Sequence, residues 1–376
     1  MKEKASLRAL TAFFLIFLLV PPAGYLLLAD QSFSEMENRY LAQLPAPRLT
    51  RLLDGSLARG LETYLADQFP LRSFWVRVKA AADAGLGRKD IGGAYIGARG
   101  RLFEKKDPPA PGLFAENLAL MGDLAENSGL PCVFLPVYSA AAFYAEDLPA
   151  HAPLLDERRF MREALDTLPP AVDVVDVWPY LAAGSGEGAD LYFRTDHHWT
   201  QAGAYRAFLA LAARGGWETG DWQPYDPGAP PFFGALHAQA PLPWLRGDDF
   251  LLWENEALTG VDVRFVDTGA TALSPYISAN LAKKDLYTVF LDGNHSETII
   301  RTAAGSGRRL LILKDSFAHA LAPFLLPYYD EITLIDLRYF HEPLSERLER
   351  GDFTEILFVY NLSWFAGDEN FHRAAE

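Results

Sequence analysis

The sequence predicts an α/β fold: a parallel sheet covered on both faces by helices, with an apolar helix before it and a β-rich insertion within it. Three observations carry this reading. From about residue 112, short continuous apolar runs alternate with amphipathic stretches, the pattern of strands buried on both faces. Residues 9–29 form one apolar run. Residues 216–305 are rich in proline, glycine and aromatics, and Pro224, Pro227, Pro230, Pro231, Pro241 and Pro243 exclude long regular elements there.

At ~1.5 Å per residue the apolar run is long enough to cross a bilayer. Pro21 and Pro22 are tolerated in such a helix. Lys2, Lys4 and Arg8 precede it, and Asp30, Glu35 and Glu37 follow it. The positive-inside rule then puts the rest of the chain outside the cytoplasm. Residues 1–30 are expected to be a membrane anchor or a signal sequence. The run exceeds a usual signal core and no clean small-x-small site follows it, which favours the anchor.

Residues 31–110 read as a juxtamembrane region. Leu57 to Lys79 has helical periodicity broken at Pro70, and Asp67 to Arg72 reads as a polar turn with an Asp–Arg pair. Residues 94–103 read as a hairpin punctuated by glycines. Residues 111–376 read as the α/β domain, with the insertion at 216–305. Strands are expected at 132–138, 172–177, 310–313, 331–337 and 354–360, and helices at 113–127, 154–168 and 200–214, the last capped by Thr200. The insertion is expected to add strands at 261–266 and 287–291.

The chain has 376 residues, 50% of them hydrophobic and 22% charged, with a net charge of -15. That balance suits one large globular domain or two ordinary ones, and excludes a nucleic-acid partner. Cys132 is the only cysteine, so there is no internal disulfide; its apolar surroundings make it a buried small hydrophobe.

The chemistry concentrates in two stretches. Residues 190–201 contain Asp196 and His198, two positions apart. In an extended segment both face one side, so Asp196 can orient His198 as a general base while His197 faces away as a packing group. Leu310 to Lys314 is a strand, and Asp315-Ser316-Phe317 turns from it into a helix. A serine at such a corner has an exposed hydroxyl near backbone N–H groups, which acyl chemistry requires. Serine also starts many helices merely as a cap. Ligands bind at the carboxyl ends of parallel strands. Ser316, Arg338 and Asn361 each follow a strand there, Arg338 and Tyr339 as substrate or Asp partners and Asn361 as an oxyanion donor or a plain strand end. Asn294 and His295 are cleft candidates from the insertion. His319 is expected to pack on the helix surface. Asp-His-His shares three letters with manganese-dependent phosphoesterases, but the strand-end aspartates such sites need are lacking. No metal and no cofactor is expected.

Tyr192 to Thr200, reading Tyr-Phe-Arg-Thr-Asp-His-His-Trp-Thr, resembles the signature of the DHHW proteins, which are similar to the periplasmic alginate O-acetylation proteins. Glu37-Asn38-Arg39, Asp67-Gln68-Phe69-Pro70 with Arg72, Phe290 to His295, and Lys314 to Phe317 resemble further blocks of that family in order. The resemblance implies an SGNH-hydrolase-like α/β/α sandwich, circularly permuted so that the serine comes last. It also implies a triad of Asp196, His198 and Ser316. Lys314 stands where the simple SGNH block has glycine. The activity implied is O-acetylation of a cell-surface or secreted polysaccharide through an acyl-serine, with acyl groups supplied by a membrane-bound O-acyltransferase partner. With no further carbohydrate-binding domain expected after Asn361, glycan affinity falls to the cleft and the insertion. The same triad with water as acceptor is a carbohydrate acetyl esterase. A non-catalytic glycan-binding or assembly protein is the alternative from another class.

Overall fold

The computed structural model describes residues 2–186 and 188–376. The chain forms two compact units, Met1–Ile91 with Ala238–Trp244, and Gly92–His237 with Leu245–Glu376.

In the first unit, helix α1 (Lys2–Leu27) contains a segment, Ser6–Leu27, long and apolar enough to cross a membrane. Helices α2 (Ser56–Asp67) and α3 (Arg72–Gly85) replace the single broken helix, with Pro70 between them. Asp67 is gripped by Arg39 at 2.6 and 3.0 Å and accepts from Ala42 N–H at 2.8 Å. Arg72 forms the expected ion pair with Asp67 at 3.8 Å and a closer one with Glu37 at 2.7 Å. Two distant polar blocks are thereby clasped together, a link that local spacing does not reveal.

The second unit opens with the expected hairpin, β1 (Ala94–Ile96) against β2 (Leu102–Glu104). Next come α4 (Leu113–Ser128), β3 (Cys132–Val137), α5 (Glu157–Thr167), β4 (Val172–Val174) and α6 (Gln201–Gly215). The insertion gives β5 (Asp262–Phe265), β6 (Thr271–Ala272) and β7 (Glu297–Arg301). Then follow β8 (Arg309–Lys314), α7 (Ala318–Leu325), β9 (Glu331–Ile335) and β10 (Glu355–Asn361). Sheet order is β6-β5-β7-β9-β8-β10-β3-β4.

The fold is the SGNH-hydrolase-like α/β class expected, but the sheet is mixed. Strands β9, β8, β10, β3 and β4 run parallel. The insertion strands β7, β5 and β6 extend the sheet antiparallel from the β9 edge. The central strands are apolar throughout because both faces are covered: every residue of β9 and β10 is buried. Helix α6 packs with α7 and with Trp178–Gly184, while α4 packs with α5. Cys132 is 2% exposed inside this core. Residues 287–291 are not a strand. Leu286–Val289 form a 3-10 turn whose start is capped by Asp285, accepting from Tyr287 N–H at 3.2 Å. That cap overrides the β propensity of Tyr287, Thr288 and Val289.

Candidate active site

Asp196 and His198 lie in an irregular loop, and several buried groups fix its path. Arg101, 3% exposed, donates from Nη1 to the carbonyls of Tyr192 (2.9 Å) and Phe193 (3.1 Å), and pairs with Asp190 at 2.8 Å. Asp248 accepts from the N–H groups of Arg194 and Thr195 and from Thr195 Oγ1, at 2.7, 3.0 and 2.6 Å. Thr200 then caps α6 by accepting from Gly203 N–H. Trp199 donates from Nε1 to the carbonyl of Phe317 at 3.0 Å, tying the loop to the serine corner.

Asp196 is 2% exposed. Its Oδ1 accepts from His198 N–H (2.9 Å) and His198 Nδ1 (2.6 Å), and its Oδ2 from Ala235 N–H (2.7 Å). Gly234 is obligatory beside it, since a Cβ there would stand 2.2 Å from Oδ2. Burial alone would raise the Asp196 pKa. The neighbouring imidazoles of His197 and His198 and the hydrogen bonds outweigh it and hold the carboxyl well below its usual range. A carboxylate only accepts, so His198 Nδ1 carries the proton and Nε2 is an acceptor. Nε2 stands 2.7 Å from Ser316 Oγ. The structure thus brings Asp196, His198 and Ser316 into one hydrogen-bonded chain, in an open cleft of about 260 Å³.

The other sequence candidates divide. His197 does not face away: the segment is bent rather than extended, and its ring lies 3.9 Å from that of His198. Arg338 and Asn294 line the cleft. Arg338 is held by Asp336 at 2.6 and 2.8 Å. Tyr339, 47% exposed, does not line it. Nor does His295, which is buried, stacked 4.4 Å from Phe265 and bonded to Asp267 at 2.7 Å. Asn361 ends β10 and lines an adjoining cavity with His197, Phe317 and Trp364. Its Oδ1 caps the next turn by accepting from Ser363 and Trp364 N–H, and its Nδ2 is buried without a partner among the described residues. His319 is not on a surface. It is 2% exposed and lies 2.7 Å from Lys314 Nζ.

Sequence reasoning missed Tyr287. Its ring stacks on His198 at 3.7 Å and 8°, and its hydroxyl donates to the Ser316 carbonyl at 3.3 Å. It missed Asp315, which accepts from Phe317 N–H (2.9 Å) and Asn361 N–H (2.7 Å) and so staples β8 to β10. It also missed the Lys314–Asp336 pair at 2.9 Å. An apolar strand ending in Lys-Asp, beside one ending in Asp-Leu-Arg, was the available signal for that pair. Donor atoms of Asp196, His197 and His198 lie within 4.8 Å of one another. A cation bound there would compete with the hydrogen bonds already made by both Asp196 oxygens and both His198 nitrogens.

Known proteins resemble the chain in two spans. The DHHW protein family model matches residues 173–335, and that of the SGNH hydrolase-like domain of acetyltransferase AlgX matches residues 104–220. The probable alginate O-acetylase AlgJ of Pseudomonas putida is 30% identical over 169 residues, covering 43% of this chain. The match spans only 44% of that relative's length. Among solved structures, a DHHW family protein from Eubacterium siraeum has a TM-score of 0.62 at 23% identity, over 76% of this chain and 96% of that one. Bacillus cereus PatB1 has a TM-score of 0.61 at 20% identity, over 73% and 97%. These two share the fold. The resemblance read from the sequence is thereby shown: the chain is similar to the DHHW proteins and to the SGNH hydrolase-like domain of the alginate O-acetylation acetyltransferases.

Proposed function

We propose that the protein is an extracytoplasmic O-acetyltransferase that modifies a cell-surface or secreted polysaccharide through an acyl-serine. The observation that carries this is the continuous chain from Asp196 through His198 to Ser316, at 2.6 and 2.7 Å. In this reading Ser316 Oγ attacks the acyl carbon and its proton passes to His198 Nε2. Asp196 holds the imidazole tautomer and stabilises the imidazolium that forms. In this reading the Ser316 backbone N–H and the Asn361 amide, whose Nδ2 has no partner among the described residues, serve as donors to the developing oxyanion. His198 then takes the proton of the incoming sugar hydroxyl, which attacks the acyl-serine and regenerates the enzyme.

The names of the matched relatives, alginate O-acetylase and AlgX acetyltransferase, support acetyl transfer to a polysaccharide. The apolar Ser6–Leu27 segment supports anchoring to a membrane, and the basic residues before it and acidic residues after it support a catalytic unit outside the cytoplasm. Acetyl-CoA is absent there, so a membrane-bound O-acyltransferase partner supplies the acyl group. The test is purified protein with an acetyl ester, with and without an oligosaccharide acceptor. Acetylated oligosaccharide, lost in Ser316→Ala, is the expected result. Free acetate at the same rate with and without acceptor would make the protein an esterase, and an inert protein would favour a glycan-binding role.

A further inference from the structure

Asp196, His198 and Ser316 have tasks in the chemistry above; His319 has none. It stands one helical turn beyond Ser316 on α7, is 2% exposed and lines the same cleft. Its Nε2 lies 2.7 Å from Lys314 Nζ. Its Nδ1 is buried with no hydrogen-bond partner among the described residues. An unsatisfied buried polar atom is costly, so a wasted donor at this place calls for a physical reason.

Lys314 decides which ring nitrogen carries the proton. An ammonium has donors only. Burial lowers the Lys314 pKa, and Asp336 Oδ2, at 2.9 Å, opposes this and supports the ammonium. Lys314 therefore donates to His319 Nε2, that nitrogen presents its lone pair, and the ring proton sits on Nδ1. Burial and the Lys314 charge together hold His319 well below the ordinary imidazole range, so the ring stays neutral. The outcome is a neutral, buried N–H donor on a residue that lines the cleft, fixed by the Lys314–Asp336–Arg338 network. Lys314, at the position where the resemblance expects glycine, acquires a use.

We propose that His319, locked by Lys314 as the Nδ1–H tautomer, is a further catalytic residue that donates a hydrogen bond to the acyl oxygen of an ester reacting at Ser316. This rests on the acyl-serine reading. As Ser316 Oγ bonds to the acyl carbon, its proton moves to His198 Nε2 and the C=O π pair moves onto oxygen. That oxygen accepts the Nδ1–H bond, and the proton stays on His319. When the C=O re-forms, the leaving alcohol departs with the proton from His198.

The test uses the full chain in detergent with ¹⁵N-labelled histidine, and methanesulfonyl fluoride to sulfonylate Ser316. The His319 signals, assigned by their loss in His319→Asn, are expected to show Nδ1 protonated and Nε2 bare from about pH 5 to pH 9. The Nδ1–H signal is expected to shift on sulfonylation, because a sulfonyl oxygen occupies the acyl-oxygen position. An Nε2–H tautomer, an imidazolium, or an unmoved signal in a sulfonylated sample would overturn the proposal. A Ser316 that is never sulfonylated would overturn the underlying acyl-serine reading instead. In kinetics, His319→Leu should lower kcat by about 10²–10³-fold with little change in KM. His319→Asn, whose amide N–H takes the place of Nδ1–H, should stay within about tenfold of wild type. Equal losses in two folded variants would make His319 a packing group and contradict the proposal.

Discussion

Two buried aspartates flank the serine, and their surroundings drive them in opposite directions. Asp196, in the loop before α6, and Asp315, at the end of β8, are 2% and 7% exposed. Each accepts backbone N–H groups. Asp196 also faces two imidazoles, which hold it ionised. Asp315 is pushed up to about 6 by burial; the N–H groups of Asn361 and Phe317 oppose this only in part, and the charge of Asp336 adds to it. The cations nearest Asp315, Lys314 and Arg338, are committed to Asp336. A full negative charge is thus kept where the proposed mechanism forms an imidazolium, and the other aspartate serves as a backbone staple.

Breaking the charged side should have the largest effect. Asp196→Asn, which disturbs the tautomer and leaves the shape, should lower kcat by roughly 10⁴-fold with the fold intact by circular dichroism. A drop under about tenfold would place the base elsewhere. On the opposite side the effect should appear in stability. Asp336→Asn leaves Lys314 and Arg338 without their carboxylate and should cost about 3–5 kcal/mol in urea unfolding.

The staple should show itself through pH. The folded pKa of Asp315 is raised, so its protonated form favours folding. That contribution is fully present below the ordinary range near 3.8 and is lost as pH rises through about 6. Asp315→Asn cannot ionise. Its stability relative to wild type should therefore rise by up to ~3 kcal/mol between about pH 4 and pH 7.5. A pH-independent difference would show that Asp315 is ionised throughout. Gly234→Ala sharpens the comparison from outside the triad. Its Cβ would press on Asp196 Oδ2, and the displaced loop should lose about 10² in kcat, read against an unchanged Ser316 corner.

What was legible in the sequence follows the same division. Strands β3, β8, β9 and β10 announce themselves as apolar runs because both faces are covered. The cap at Thr200 and the corner at Ser316 are local and readable for that reason. What stayed hidden depends on packing between distant segments. Tyr287 reaches His198 from the insertion only because Asp285 caps a 3-10 turn that propensity reads as a strand. The direction of His197 depended on an extended backbone that Arg101 and Asp248 bend. His319 read as a surface residue because nothing local indicates that Lys314 turns inward to meet it. The antiparallel edge of β7, β5 and β6 was hidden because short insertion strands carry no mark of the strand they will join.

The most direct test of the central claim is the intact mass of the full chain, in detergent, after brief incubation with a small acetyl ester, beside its Ser316→Ala variant. The account predicts a transient gain of one acetyl group on the wild type and none on the variant. An acetyl gain in both, or an ester left untouched by a folded wild-type protein, would contradict it.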